Sequence, residues 1–355
     1  MQLRCSIAAG SVPSTDQLSA FVDAVFVHLQ RADQRRRGHA YLHGLLTVPG
    51  KKTVRSVAAA ATDSPTASQS LQQFVNSSPW HWEAVRHELA CWAETRLRPQ
   101  AWTVATTVLP KRGDHSCGVH RRFVPQLGRT VNCQVGIGLF LSDRASAVPV
   151  DWRLHLPEDW SLPYLRGQAR VPSNVRPLPI WADALDMVDR LKRSGDLAPA
   201  PLVADIRGTR RTSELLRLLL RHGHDFVLAV PGDLMVVPVS EAGRELQAAT
   251  SASSLGAPHG LVRLPSTAGG WSRETYRLVT ERRRPAVVWI TNMVRHRTDE
   301  LLSLLECHAA TGEAARELAL DFGLQDFEGR SYPGWHRYMT LMSAAYAYRR
   351  LADVS

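Results

Sequence analysis

Residues 102–113 read WTVATTVLPKRG. Val and Thr crowd the first eight positions, which suits a strand. Pro110-Lys111-Arg112-Gly113 then closes the run with a basic turn. The stretch contains no carboxylate. Further strand texture follows in NCQVGIGLFLS (132–142) and SAVPVDWRLHL (146–156), spaced by Gly, Pro and polar turns. IWADALDMVDRLKRSG (180–195) reads as an amphipathic helix. PLVADIRG (201–208) is a short apolar strand ending in Asp205, followed by a helix in TRRTSELLRLLLRHG and a strand in DFVLAV. The order β-β-β-α-β-α-β predicts a mixed α/β core.

Upstream the texture is helical and basic. The spacing of Phe21, Val25 and Leu29, with Val22 and Phe26 beside them, predicts one helix over about residues 16–46. Arg31, Arg35, Arg36 and Arg37 crowd one short stretch of it, which by itself also suits a solvated helix face. Residues 50–97 predict two or three further helices, separated by Ser and Asp-Ser-Pro clusters. Downstream, residues 231–285 are small, polar and basic, and read as an insertion of loops and short strands. AVVWITN (286–292) returns to the core, and helices are expected at about 298–309, 312–322 and 333–351. The organisation expected is a helical domain over 1–98, a core over 99–230 and 286–355, and an insertion over 231–285.

The chain has 355 residues, 44% of them hydrophobic, which is enough for a large core. No apolar run reaches 18 residues, so no membrane partner is expected, and the first residues lack the apolar core of a signal peptide. The 5 cysteines are scattered and never in a Cys-x-x-Cys pair, which suits reduced thiols in the cytoplasm, with no zinc site and no disulfide framework. The net charge of +10 suits a polyanionic partner.

Several segments carry a more specific signal: YLHGLL (41–46), QSLQQFVNSSPW (69–80), LPKRGDHSCGVHRRFVPQLGRTVNCQVGIGLFLS (109–142), VDWRLHLPEDW (150–160), VADIRG, DFVLAV and GLQDFEGRSYPGWHRYMTLMSAAYAY (323–348). Together, in this order, they resemble the DDE transposases of the IS701 group of bacterial insertion sequences, from about Ala32 to Tyr348. The resemblance implies an RNase H-like sheet flanked by helices, behind a helical DNA-binding region. It also implies strand cleavage and joining with two Mg²⁺ ions about 4 Å apart, which clamp the attacking and leaving oxygens. Mg²⁺ demands oxygen ligands. In the family these come from an Asp on the first strand, an Asp at the end of the fourth and a Glu on a later helix.

This sequence departs from that pattern at two of the three positions. Where the family carries Asp-Asp-Thr before a Phe-Pro-Lys turn, the chain reads Ala105-Thr106-Thr107 and then Leu109-Pro110-Lys111. The second position is kept as Asp205, which also suits a strand-end residue capping the helix near Thr209. The third falls on Gly312, after Thr311. Glu313 is one residue off, turned about 100° around a helix. Glu306 is another candidate if the spacing has slipped. Glu313, Glu317 and Asp321 form an i, i+4, i+8 stripe typical of a solvated face, and Ala315 and Ala319 stand where the family has an aromatic residue and a Lys.

With one ligand of three, productive Mg²⁺ binding is not expected, and neither is any other metal. What remains is basic: Lys111, Arg112, His115, His120, Arg121 and Arg122 around the turn, Arg330, His336 and Arg337 with aromatic neighbours, and Arg35 and Arg36 upstream. Singly each reads as a solvated charge or ion-pair partner; together they predict contact with DNA phosphates. The leading expectation is a catalytically dead, domesticated transposase acting as a DNA-binding regulator associated with the nucleoid. Alternatives are a recruited enzyme holding a small molecule in the emptied cleft, through His115, Cys117, His120 or Asp205, and an active enzyme with acids relocated to Asp114, Asp205 and Glu306 or Glu313. The family also leaves room for a homodimer.

Overall fold

The structure, a computed structural model, describes residues 15–62, 64–255, 260–266, 269–281 and 284–353. Phe21, Val22 and Val25 turn inward from α1 (Thr15–Val25). The single helix expected to residue 46 breaks here, and α2 (Ala32–Thr47) starts anew. Packing explains the break. The Phe26 ring sits against the backbone of Gly38, whereas on one straight helix these residues would lie about 18 Å apart. The Arg35 guanidinium ties the turn by donating to the Leu29 carbonyl at 2.6 Å. Next come α3 (Val54–Ala61), with Thr53 Oγ1 accepting from the Ser56 N–H as its cap, α4 (Ala67–Asn76) and α5 (Trp82–Leu97).

The sheet begins with β1 (Ala101–Pro110), β2 (His120–Val124), β3 (Arg129–Ser142) and β4 (Ala147–Leu154). After α6 (Pro163–Ala169) and α7 (Ile180–Ser194) come β5 (Leu202–Asp205), α8 (Thr212–Arg221) and β6 (Phe226–Val230). β1 runs antiparallel to β3 and parallel to β5, which is parallel to β6. The helical crossovers permit this change of direction, since parallel neighbours need a long connection. An antiparallel β1–β3–β4 meander followed by parallel β5 and β6 is the RNase H-like arrangement, and the whole is an α/β fold.

Residues 231–285 do more than interrupt the core. β7 (Met235–Val239), β8 (Thr250–Ser251), β9 (Leu261–Arg263) and β10 (Tyr276–Glu281) continue the sheet beyond β11 (Arg284–Thr291). The full order is β2-β3-β1-β5-β6-β11-β10-β9-β7-β8, with β4 also on β3.

Two helices expected at 298–309 and 312–322 are one, α9 (Thr298–Asp321). Gly312 weakens a helix without breaking it, and Leu301, Leu304, Thr311, Ala314 and Leu318 are buried along its inner side. α10 (Tyr332–Leu351) is buried almost all round, between β4 on one side and α2 and α5 on the other. One continuous cluster of buried apolar residues therefore runs from Leu18 to Leu351. The junction near residue 98 separates a helical region from a sheet without dividing the core. None of the described helices is long and apolar enough to cross a membrane.

Candidate functional site at the carboxyl ends of the central strands

Registry across the sheet decides what meets what. Trp102, Thr103 and Val104 stand beside Leu202, Val203 and Ala204. Ala105 and Asp205 each follow one residue beyond the last of these rungs. Asp205 in turn pairs with Ala229, and Ala229 with Trp289. α9 crosses this face. Thr311 Oγ1 lies 2.5 Å from Thr103 Oγ1 and 3.0 Å from Ser142 Oγ, forming a buried hydroxyl cluster that fixes the helix against β1. One turn earlier, the His308 ring meets Trp289 edge-on at 5.3 Å and contributes positive field at Asp205. A Cβ added at Gly312 would meet nothing within 4 Å. The three positions that the family resemblance assigns to acidic ligands read Ala105, Asp205 and Gly312.

Asp205 is engaged. The Arg207 backbone N–H donates to Asp205 Oδ1 at 3.0 Å, and its guanidinium reaches both carboxylate oxygens. Burial pushes the Asp205 carboxyl up, but the Arg207 hydrogen bonds and charge outweigh it and hold the group below its ordinary value. For Mg²⁺ the donor set does not fit: a methyl at 105, no side chain at 312, and a carboxylate already serving a guanidinium.

The relocated acids do not converge on Asp205. Glu306 pairs with Arg144 in the β3–β4 turn, exposed Glu313 pairs with Arg316, and Asp114 accepts from Asn132 beyond the end of β1. Among the described residues, one group of three His, Cys, Asp or Glu side chains is close enough to hold a metal, and its position is different. Asp189 on α7 meets His222 Nδ1 and His224 Nε2 at 2.7 Å each. His224 lies just before the start of β6, so this cluster sits at the opposite end of the strands from Asp205. The His-x-His spacing was a visible signal for it; its partner on α7 was not.

The basic residues divide into two groups. Arg36, Arg112, His115, Arg121, Arg122 and Arg330 are exposed. Arg35, as described, is half-buried in its turn. Three side chains expected at a DNA surface are structural instead. Lys111 donates to the Phe327 carbonyl at 2.5 Å, and burial pulls its pKa down to about 8. His336 is buried and stacked on Trp82 at 5.0 Å, with burial holding it well below its ordinary value. Arg337 is buried and donates to the carbonyls of Trp80 and Val75. The aromatic neighbours of Lys111 and Arg337, Phe327 and Trp80 with Trp82, stand against these cations inside the protein. His120 is half-buried beside the Gly118 carbonyl, and burial lowers its pKa. Cys117 is fully buried, its thiol pushed up to about 12 by burial, which leaves no thiolate for nucleophilic work.

A crevice of about 630 Å³ opens next to the Arg207 that holds Asp205 and is lined by Arg207, Gly208, Arg210, Arg211, Thr212 and Asp233. Ligands of open α/β sheets favour this edge, outside the carboxyl ends of the parallel strands.

An RNase H-like sheet with Asp205 at the carboxyl end of a central strand is the fold of a transposase-type catalytic domain. The chain belongs to the DDE superfamily endonucleases: that family's model matches residues 24–292, well over half of the chain. The match spans β1 and β5 and ends before α9. A comparison with curated proteins finds no match.

Proposed function

We propose that the chain is a degenerate transposase of the IS701 type that no longer cuts or joins DNA strands and is retained as a DNA-binding regulator at the nucleoid. The observation that carries this reading is the Asp205–Arg207 pair beside Ala105. One carboxylate closed by a guanidinium cannot order the two Mg²⁺ ions that in-line phosphoryl displacement uses. Family membership supplies the expectation of DNA as partner, and exposed Arg36, Arg112, Arg121, Arg122 and Arg330 supply phosphate-binding chemistry.

The test is a supercoiled plasmid incubated with Mg²⁺ or Mn²⁺, together with duplex binding followed across salt. Binding whose log K falls steeply with log salt, without nicking, is the expected result. Nicking that disappears in Asp205→Ala would overturn the loss of chemistry. Affinity no tighter than about 10⁻⁴ M at physiological salt, the weak end of non-specific binding, would overturn the DNA role.

A second reading takes its support from the crevice beside Arg207. Three Arg residues and the start of α8 line it, which suits a small anion. Saturable binding of an anionic metabolite there, with no affinity for DNA, would favour a recruited cleft over a regulator.

A further inference from the structure

The strand β2 lies in the basic cluster that follows β1. Together with the first residues of β3 it forms a two-stranded antiparallel ribbon, from the His120–Cys133 pair to the Val124–Arg129 pair. The turn Pro125–Leu127 closes it, and Gly128, at φ 61°, takes the left-handed conformation that this turn requires. β1 stops at Pro110, paired with Cys133, so the ribbon runs on beyond the last rung of β1. It therefore extends past the same carboxyl end of the central strands that carries Asp205. Along β3 its far end lies roughly 30 Å from the Ala105 rung, at about 3.3 Å per residue.

Arg121, Arg122 and Arg129 on this ribbon are exposed. Two apolar side chains are exposed with them: Phe123 at 59% and Leu127 at 49%. Alternation places Arg121 and Phe123 on one face and Arg122 and Arg129 on the other. No Asp or Glu occurs between His115 and Ser142. An exposed Phe and Leu set among guanidiniums, with one acid, Asp114, held on Asn132 at the ribbon's base, match a partner that offers phosphates on its rim and an apolar stack within. Duplex DNA has that profile, and apolar wedges flanked by Arg are how groove-binding proteins unstack base steps. A second copy of the chain fits poorly, since a two-fold interface through the ribbon sets like patch on like and would bring its guanidiniums together.

We propose that the β2–β3 ribbon is a DNA clamp, in which Arg121, Arg122 and Arg129 bind phosphates and Phe123 and Leu127 insert between neighbouring base pairs. This rests on the DNA-binding reading and adds to it a place and a mode. An inserted wedge unwinds the duplex, which a closed circular plasmid records without any knowledge of the preferred sequence.

The experiment relaxes such a plasmid with a topoisomerase in the presence of the full chain, then removes protein and resolves topoisomers. The wild type should shift the distribution. Phe123→Ala with Leu127→Ala should abolish the shift while keeping the salt slope of binding. Arg121→Ala, Arg122→Ala and Arg129→Ala together should shrink that slope by about 2 to 3 units, at roughly 0.9 per phosphate contact. All these side chains are exposed, and unchanged thermal melting verifies that each variant is folded. Binding without any topoisomer shift, or a shift kept by the Phe123/Leu127 variant, overturns the clamp and leaves DNA binding standing. No binding at all overturns both. A dimer that falls apart in the Phe123/Leu127 variant, or capture by anionic phospholipid vesicles without plasmid unwinding, assigns the ribbon to another partner and overturns the clamp.

Discussion

Arg207 closes over Asp205: its Nε lies 3.0 Å from each carboxylate oxygen and its Nη2 lies 2.6 Å from Oδ2. The two residues are one intervening position apart, so the strand end itself delivers the guanidinium to the carboxylate. A divalent cation arriving at Asp205 must displace a bidentate, charge-assisted partner. No second carboxylate at 105 or 312 shares the cost.

A reconstruction follows from that geometry. Ala105→Asp and Gly312→Glu restore carboxylates at their places beside β5 and on α9, and Arg207→Gln frees Asp205. The triple variant should be stabilised by Mn²⁺, by about 2.7 kcal/mol at a hundredfold excess over its Kd. The wild type should show no such shift. Thermal melting with and without Mn²⁺ reads both, and an equal shift in the wild type would contradict the account of the site.

Gly312 offers a simpler test. It lies inside α9 with open space where a Cβ would go. Ala there loses less backbone entropy on folding, and Gly→Ala at an exposed helix interior gains roughly 0.5–1 kcal/mol. Gly312→Ala should raise the free energy of unfolding by that amount, read from denaturation curves. A loss of stability would mean that the space beside Gly312 is filled in solution.

Lys111 sets a pH dependence. Its pKa is pulled down to about 8 from 10.5 in the unfolded chain, because burial penalises the ammonium. Below pH 8 both states carry the proton and the folded state bears the penalty in full. As pH rises from 8 towards 10.5 the unfolded chain holds more proton, so the penalty fades and stability rises. Lys111→Met removes the charge and with it this pH dependence. Its advantage at pH 7 should narrow by about 1–3 kcal/mol, on the order of the pKa difference, by the top of that window. Parallel denaturation curves from pH 7 to 9.5 check it. A constant difference across that range would show that Lys111 titrates normally.

Much of this was legible from short stretches. The runs at 102–109 and 201–205 gave β1 and β5, and the departures at Ala105 and Gly312 were visible once the family pattern was set beside them. The parts that escaped depend on partners distant in sequence. His336 and Arg337 look like surface cations beside aromatic residues; only α4 and α5, some 250 positions earlier, turn that aromatic company into a buried stack. β2 was hidden because its exposed residues run Arg-Arg-Phe, so no apolar face marks it as a strand. Arg207 as the partner of Asp205 is a local contact, yet which way a guanidinium turns at a strand end is decided by the crevice around it.

The last prediction concerns how the helical region is joined to the sheet. Arg86 on α5 is buried, with its side chain 5% exposed. Its guanidinium donates to Thr340 Oγ1 at 2.7 Å, Asp151 Oδ1 at 2.8 Å, the Trp152 carbonyl at 2.7 Å and the His336 carbonyl at 2.8 Å. One side chain thus fastens α5 to β4 and to α10. Asp151 keeps a second cation, Arg190 at 3.1 Å, so removing Arg86 does not strand a bare carboxylate. It takes a donor from two buried carbonyls instead, of which that of His336 keeps the Thr340 hydroxyl at 2.9 Å, and an orphaned acceptor costs about 1–3 kcal/mol. Arg86→Met should therefore lower stability by about 3–5 kcal/mol, as for a broken buried pair. Arg86→Lys, with three donors and no planar fork, should recover less than half of that. Because the fastening is shared, far-UV circular dichroism and tryptophan fluorescence should give coincident unfolding curves in the wild type. A midpoint unchanged in Arg86→Met, or wild-type curves that separate, would show that the helices and the sheet are not one cooperative unit.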